Sequence, residues 1–346
     1  MTINHQVRLA ARPTGMATPG DFTFTEEPIP APAAGEVIVD VTHISIDPAM
    51  RGWMNAGASY IPPVALGDVM RAGAIGTVRA SQHPGFTVGD HVYGTFGVQE
   101  HAVSDGRGVI KIDTSVAPAT TYLGALGITG LTAYFGLLDV AKIKVGDTVV
   151  VSGAAGAVGS VAGQIAKLKG CRTIGIAGGP DKCKALVDDI GFDAAIDYKS
   201  EDIPKALRRL APDGVDVYFD NVGGEVLDAV LTRLARGARI VISGAVSQYN
   251  ESKVLGPANY LSLLVYRASM IGMVVFDYED RYQAASVELA QWLRDGKLTS
   301  HEHVVDGGVL AFPEVLLKLF AGENTGKLIL RARTESETSP DTPMRP

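Results

Sequence analysis

Short β-branched runs alternate with helical patterns through the middle of the chain. Residues 148–152 form an apolar run typical of a strand buried on both faces. From Val158 to Lys169, apolar residues recur at the spacing of an amphipathic helix. Downstream, the pattern predicts strands at 172–177, 194–197, 215–220 and 238–244, and helices at 181–190, 204–210, 225–234 and 284–295. This alternation predicts an α/β fold with a Rossmann-type, doubly wound parallel sheet.

The two ends of the chain have a different pattern. Residues 1–125 contain short β runs separated by Gly and Pro, which predicts a small β-rich barrel domain. Residues 123–138 are helix-like, and the parallel-sheet domain is expected to span 126–304. A helix at 313–320 and a strand at 327–332 lie within 305–332, which we expect to pack on the barrel. Residues 333–346 are predicted to be a disordered tail.

A turn of small residues joins the first strand of the sheet to its helix. Ala154, Gly156 and Gly159 form an A-x-G-x-x-G variant of the dinucleotide-binding fingerprint. Small residues let a pyrophosphate approach the backbone, and its charge then lies at the helix N-terminus. The alternative is a tight turn without a ligand, but the position between a strand and a helix favours a cofactor site.

The end of the second strand indicates which dinucleotide is bound. NAD-binding folds usually place Asp or Glu there to bind the ribose hydroxyls. This chain instead has Gly178 and Gly179, followed by Lys182, while the neighbouring Asp181 is expected to cap the next helix. The glycines leave space for a 2′-phosphate and the lysine supplies a cation, so the sequence favours NADP(H). Lys182 as a solvated helix residue remains the alternative.

Composition limits the possible partners. The net charge is −7 and no basic run occurs, which argues against nucleic acid or an anionic membrane as partner. The N-terminus lacks a signal-peptide pattern, and no stretch is apolar enough to span a membrane, so a soluble, cytoplasmic protein is expected.

Metal and other catalytic motifs find little support. Cys171 and Cys183 have no zinc-cluster spacing, and His301 and His303 lack further ligand-like partners, so no metal site is expected. A Y-x-x-x-K match that starts at Tyr249 is interpreted as accidental, because a long segment precedes the glycine turn.

Several longer motifs carry a family resemblance. They are D-P-A-M-R-G at 47–52 and the segments 156–160, 163–171, 191–199, 216–224, 243–250 and 324–327. Through them the chain resembles the medium-chain dehydrogenase/reductase superfamily. Within it, the chain is similar to the group of leukotriene 12-hydroxydehydrogenases, prostaglandin reductases, plant double-bond reductases and curcumin reductase-like enzymes. The resemblance implies a chaperonin-10-like fold for the barrel domain, a zinc-independent enzyme and a homodimer. It also implies reduction by NADPH of a carbon–carbon double bond conjugated to a carbonyl.

The resemblance also assigns residues to the site. The implied cofactor-binding residues are Gly156, Ala157, Val158, Gly159, Lys182, Tyr198, Asn221, Ser243, Gly244, Ala245, Val246, Ser247, Tyr249, Met273, Val274, Val275 and Asn324. Tyr266 matches a tyrosine proposed to act near the nicotinamide ribose, with a buried aromatic in an apolar helix as the alternative.

The substrate pocket is expected between the two domains, lined by Trp53, Tyr60 and Met70. Many plant and animal members of the group have tyrosine where this chain has Ala49, which leaves the size and polarity of the substrate open. The expected activity is NADPH-dependent reduction of α,β-unsaturated ketones or aldehydes. A quinone oxidoreductase and a non-catalytic NADP(H)-binding redox sensor remain alternatives.

Overall fold

The computed structural model describes residues 2–57 and 59–333, so the predicted tail from residue 334 onward lies outside it. The middle of the described chain folds into a six-stranded parallel sheet with strand order β10-β9-β8-β11-β12-β13. Its strands are β8 (Thr148–Ser152), β9 (Arg172–Ala177), β10 (Ala194–Asp197), β11 (Val215–Asp220), β12 (Leu234–Ile242) and β13 (Ser269–Gly272). Strand order reverses beside β8, which is where doubly wound sheets bind their ligands.

Helices cover both faces of this sheet. They are α2 (Ile128–Phe135), α3 (Ala157–Leu168), α4 (Pro180–Asp188), α5 (Ile203–Leu210), α6 (Gly224–Leu231), α7 (Ser262–Tyr266) and α8 (Tyr282–Arg294). Val149 and Val151 pack into the core on one face, whereas Val150 packs into the core on the other. The apolar run at 148–152 therefore supplies both cores, as expected for a strand covered on both sides. The predicted doubly wound sheet is confirmed.

The N-terminal part forms a β-rich domain. Its elements are β1 (Ile3–Leu9), β2 (Phe22–Pro28), β3 (Val37–Ser45), α1 (Ala49–Trp53), β4 (Ala74–Ser81), β5 (His91–Gly94), β6 (His101–Ser104) and β7 (Ile110–Lys111). Two C-terminal strands, β14 (Glu302–Val305) and β15 (Lys327–Arg331), complete its larger sheet through the β15–β3 pairing. The helix α9 (Phe312–Ala321) lies between these two strands and contributes to the core of the domain.

Several regions differ from the sequence prediction. The helix predicted at 225–234 ends at Leu231, and the strand predicted at 238–244 runs from Leu234 to Ile242. The helix expected from Leu123 begins only at Ile128, and it continues as a π-helical turn at Gly136–Val140. A tight turn precedes this helix and brings Gly127 close to the Tyr122 carbonyl oxygen. A Cβ on Gly127 would lie 2.2 Å from that oxygen, so glycine is needed here. The elements α7 and β13 were not predicted. Among the described residues, no helix is long and apolar enough to cross a membrane.

Candidate active site

A cavity of about 1950 Å³ lies between the β-rich domain and the carboxyl edge of the parallel sheet. Residues that follow β8, β9, β11, β12 and β13 line one wall. Of the residues assigned to the cofactor, those lining this cavity are Gly156, Ala157, Val158, Gly159, Lys182, Tyr198, Asn221, Ser243, Gly244, Val246, Ser247, Tyr249, Met273, Val274, Val275 and Asn324. Ala245 is not among the described lining residues. The structure thus brings together residues that are far apart in sequence.

The glycine turn brings the start of α3 close to the end of β8. Gly153 has a φ of +58°, and a Cβ on Gly159 would lie 2.3 Å from the Gly153 carbonyl oxygen. Gly156 is the N-cap of α3, and the first intrahelical bond runs from the Ser160 amide to its carbonyl. The three preceding N–H groups of the helix have no helical partner and carry the positive end of its dipole. This geometry suits a pyrophosphate.

A buried carboxylate organises the neighbouring loop. Asp220 is fully buried at the end of β11, and its Oδ1 accepts hydrogen bonds from the Ser152 and Tyr218 hydroxyls at 2.8 and 2.7 Å. The same oxygen accepts from the amides of Val222 and Gly223, both at 3.0 Å. These bonds fix the loop that follows β11 relative to the end of β8. This role of Asp220 was not predicted, because a linear motif does not show which strands end side by side.

Lys182, on α4, and Tyr198, directly after β10, both line the cavity. The Lys182 ammonium donates to the carbonyl oxygens of Gly322 and Asn324 at 2.7 and 2.6 Å. Burial lowers the pKa of Lys182, and the charge of Lys199 lowers it further. A Cβ on Gly178 would lie 2.8 Å from the Tyr198 ring, so glycine is needed for the ring to lie over this backbone. An anion placed here would meet a partly desolvated cation.

An acidic side chain bonded to Gly179 is already engaged. Asp197 accepts hydrogen bonds from the Gly179 amide at 2.7 Å and from the Ser200 hydroxyl at 2.8 Å. The Gly179 bond is the main reason that the pKa of Asp197 lies below its usual value. Asp197 is not among the described residues that line the cavity. The wall therefore presents a lysine, rather than a carboxylate, at the place that distinguishes the two nicotinamide cofactors.

The C-terminal segment 305–332 closes the cavity on the side of the β-rich domain. The Gly326 amide donates to the Ala155 carbonyl at 2.7 Å, so this segment is bonded directly to the glycine turn. Lys327 is 1% exposed, and its ammonium donates to the Ile46 carbonyl at 3.0 Å and to Asp47 Oδ1 at 2.6 Å. Asp47 and Lys327 both line the cavity. This ion pair also lay outside the sequence predictions.

Two tyrosines have contrasting positions. Tyr249 lines the cavity, and its hydroxyl oxygen accepts a hydrogen bond from the Ala245 amide at 3.2 Å. Burial raises the pKa of Tyr249, so the hydroxyl stays protonated at neutral pH. Tyr266, the residue predicted to be catalytic, is not among the described lining residues. It ends α7, where its half-buried side chain packs against a core of the parallel sheet.

The β-rich domain supplies the opposite wall. Trp53 and Tyr60 line the cavity as predicted, and the Tyr60 ring lies 6.1 Å from that of Phe276 between centroids. The placement of Met70 in the pocket is corrected: its side chain is fully buried in the domain core. The next residue, Arg71, lines the cavity instead. Successive side chains of an extended segment point in opposite directions, and the sequence did not show which of the two faces the core.

The residues present fit a dinucleotide phosphate. The glycine turn offers helix amides to a pyrophosphate, and Lys182 offers a cation to a 2′-phosphate. The described residues include no group of three or more His, Cys, Asp or Glu side chains that could hold a metal ion. His301 Nε2 is hydrogen-bonded to the Thr299 hydroxyl at 3.0 Å, and His303 lies on β14.

Comparison with known proteins agrees with the two-domain architecture. Residues 5–112 match a model described as the N-terminal domain of oxidoreductase, and residues 157–291 match one described as zinc-binding dehydrogenase. The fold and these matches define a dehydrogenase of the two-domain, dinucleotide-binding class.

Individual relatives define the family more narrowly. A putative NADP-dependent oxidoreductase of Bacillus subtilis is 47% identical over 96% of this chain and 98% of its own. The NADPH-dependent curcumin reductase of Escherichia coli is 38% identical over 95% of this chain and 96% of its own. CurA from Vibrio vulnificus, whose crystal structure contains NADPH, is 42% identical in sequence to this chain. The two structures superpose with a TM-score of 0.90, covering 95% of this chain and 99% of that one. The chain belongs to the medium-chain dehydrogenase/reductase superfamily, in the group that contains curcumin reductase.

Proposed function

We propose that this protein is an NADPH-dependent reductase of carbon–carbon double bonds conjugated to a ketone or an aldehyde. The observation that carries the proposal is the shared cavity, in which a glycine turn and Lys182 face an apolar wall that includes Trp53 and Tyr60. Its relatives include an NADPH-dependent curcumin reductase, and curcumin is a conjugated enone. The sequence-based prediction and the relatives therefore favour the same chemistry.

The protein's own part is to hold the reactants and stabilise developing charge. Bound NADPH supplies a hydride. Residues 156–159 would hold its pyrophosphate and Lys182 its 2′-phosphate, while Met273, Val274 and Val275 border the inner end of the cavity. The Met273 amide is engaged with the Ile242 carbonyl at 3.0 Å, so the chain here is fixed to the end of β12. These residues orient the reactants and exclude water.

Tyr249 is the hydrogen-bond donor that we assign to the substrate carbonyl. Addition of hydride to the β-carbon of an enone leaves negative charge on the carbonyl oxygen. The Tyr249 hydroxyl accepts a bond from the Ala245 amide, and this leaves its own proton free to donate. Because burial raises the pKa of Tyr249, the proton is retained over the whole neutral range. A donor fixed before the reaction stabilises such an oxyanion efficiently.

The activity is tested by following NADPH oxidation with a panel of enones, enals and quinones. We expect turnover of enones with the saturated ketone as product, a preference for NADPH over NADH and no inhibition by a chelator. Turnover of quinones alone would instead favour the quinone oxidoreductase. Tight NADPH binding without turnover of any of these compounds would favour the redox sensor.

The two tyrosines provide a matched pair of variants. We expect Tyr249→Phe to lower kcat for an enone by about 100-fold, the usual cost of losing one oxyanion donor. Tyr266→Phe removes the same hydroxyl from a residue that packs against the core, and we expect less than a three-fold change. Tyr266→Phe should bind NADPH like the parent. For Tyr249→Phe, a fall in kcat that is much larger than the rise in the KM for NADPH distinguishes the donor role from the cofactor contact that the family resemblance implies for this residue. A large loss with Tyr266→Phe and none with Tyr249→Phe would restore the role predicted from the sequence.

We also propose that the protein is a homodimer that associates through β13. This strand is at the end of the parallel sheet, and Ile271 on it is 38% exposed. Leu264 and Val265 on the adjacent α7 are 75% and 59% exposed. An open strand edge beside exposed apolar side chains favours association. Light scattering should give twice the chain mass, and Leu264→Glu should yield monomers. A monomeric parent protein would contradict the proposal.

The expected cytoplasmic location stays a prediction.

A further inference from the structure

Arg71 places a cation in the substrate half of the cavity. It follows Met70, whose fully buried side chain anchors this segment in the core of the β-rich domain. The Arg71 guanidinium lies over the Trp53 ring, with 5.7 Å from its central carbon to the ring centroid. Its Nη1 donates to the Pro62 carbonyl oxygen at 2.8 Å. Two contacts thus hold the side chain in place against the cavity wall.

The positive charge of Arg71 has no close counter-ion. Among the described residues, no carboxylate oxygen lies within 4.0 Å of its guanidinium nitrogens, and the Pro62 bond is its one hydrogen bond. The edge formed by Nε and Nη2 is therefore unused, and this is the edge that binds a carboxylate through two parallel bonds. Burial lowers the pKa of Arg71, and neighbouring Asp68 opposes that effect only in part.

The phosphates of the cofactor have other partners. Residues 156–159 and Lys182 belong to the parallel-sheet domain, whereas the residues in contact with Arg71, Trp53 and Pro62, belong to the β-rich domain. Tyr60 lies close enough to both Arg71 and Tyr249 for its phenol to act on the charge of each, and all three side chains line the same cavity. A substrate that reaches Tyr249 can therefore extend within this cavity toward Arg71.

We propose that Arg71 is a specificity-determining residue that binds a carboxylate on the substrate. The preferred substrates are then enones or enals with an acid group at the end remote from the double bond. A partly desolvated guanidinium is most strongly stabilised by an anion, and its fork distinguishes a carboxylate from the corresponding neutral ester. The inference rests on the proposed reductase function and adds the chemical class of its substrate.

The test compares matched acids and esters. A homologous series of acyclic enones with a terminal carboxylate, and the methyl ester of each, is assayed at saturating NADPH. For the parent protein we expect the best acid to exceed its ester in kcat/KM by about 10-fold or more, the usual effect of a hydrogen bond to a charged group. Arg71→Met should remove this preference, and Arg71→Lys, which keeps the charge without the fork, should retain part of it.

Arg79→Met is the matched control. Arg79 is a half-exposed cation of the same domain that pairs with Asp40 and is not among the described residues lining the cavity. We expect it to keep the acid-to-ester ratio of the parent. An equal rate for acid and ester at every chain length overturns the proposal without using a variant. So does a preference that survives Arg71→Met, or a variant in which only the KM for NADPH rises.

A binding measurement separates this proposal from the reductase function. A saturated keto acid and its methyl ester are titrated into the NADPH complex by calorimetry. Tighter binding of the acid, lost in Arg71→Met, supports the carboxylate site even if no enone is reduced. If enones are reduced but acid and ester bind equally, the reductase function stands and the role of Arg71 is wrong.

Discussion

At the scale of single residues, the residues assigned to the cofactor agree with the lining of the cavity better than those assigned to the substrate. Gly156, Gly159 and Lys182 were assigned because a phosphate requires small residues and a cation at fixed places after a strand. No comparable rule distinguishes Met70 from Arg71, since the direction of each side chain depends on which way an irregular segment faces the core. The family resemblance assigned Tyr249 to the cofactor and Tyr266 to catalysis, whereas among the described residues only Tyr249 of the two lines the cavity.

Lys182 allows a prediction about cofactor choice. Its ammonium would meet the 2′-phosphate of NADPH, which NADH lacks. We expect Lys182→Met to raise the KM for NADPH by about 10-fold or more, because a hydrogen bond between charged groups is lost. The KM for NADH should change much less. Steady-state kinetics with both cofactors checks this.

A control for this prediction lies on the same helix. Lys184 is an exposed residue of α4 that pairs with Asp188. Lys184→Met should leave both KM values unchanged. An equal rise in the KM for NADH in Lys182→Met would mean that the lysine supports the site through its bonds to Gly322 and Asn324 instead.

At the scale of elements, burial decided what the sequence could predict. The strands β8, β9, β10 and β11 have the predicted bounds, because covered strands need continuous apolar residues between turns. Strand β13 was missed since its residues alternate neither in polarity nor in size, and most of them are exposed. The short helix α7 before it combines exposed and half-buried apolar residues without a clear periodicity.

The packing of α3 leads to a stability prediction. A Cβ on Gly163 would lie 1.9 Å from the ring of Phe192, in the loop before β10, so the helix approaches this ring too closely for alanine. We expect Gly163→Ala to lower the free energy of unfolding by about 1–3 kcal/mol through overpacking. Gly52→Ala, in the helix α1 where nothing lies within 4 Å of the added Cβ, should be neutral or slightly stabilising.

Chemical denaturation of both variants and the parent gives this comparison. Adding Phe192→Leu to Gly163→Ala should recover part of the loss, because the smaller side chain leaves space for the methyl group. A double variant that is less stable than the sum of the single changes would contradict a local clash.

At the scale of the whole molecule, the C-terminal return joins the two domains around the cavity. The sequence predicted that residues 305–332 pack on the β-rich domain, but not how they contact the parallel-sheet domain. The structure shows three bonds to that domain, one from the Gly326 amide to the Ala155 carbonyl and two from Lys182 to the carbonyls of Gly322 and Asn324. The bond from Lys327 to Asp47 holds the same segment to the β-rich domain. Such contacts depend on the meeting of distant segments, for which a single sequence has no local signal.

The buried Lys327 provides a test of this connection. Lys327→Met removes the donor to the Ile46 carbonyl and to Asp47 Oδ1, but Asp47 keeps its bond from the Ser45 hydroxyl and is 24% exposed, so it is partly rehydrated. We therefore expect a loss of about 2–3 kcal/mol in the free energy of unfolding, at the low end for a broken buried ion pair. Arg331→Met removes the more exposed pair with Asp306 from the same strand β15, and should cost less than about 1 kcal/mol. Because Lys327 also follows Gly326 at the glycine turn, Lys327→Met should reduce the stabilisation by NADPH in thermal unfolding, whereas Arg331→Met should not. Equal effects of the two substitutions in both measurements would show that the pair does not connect the return segment to the cofactor site.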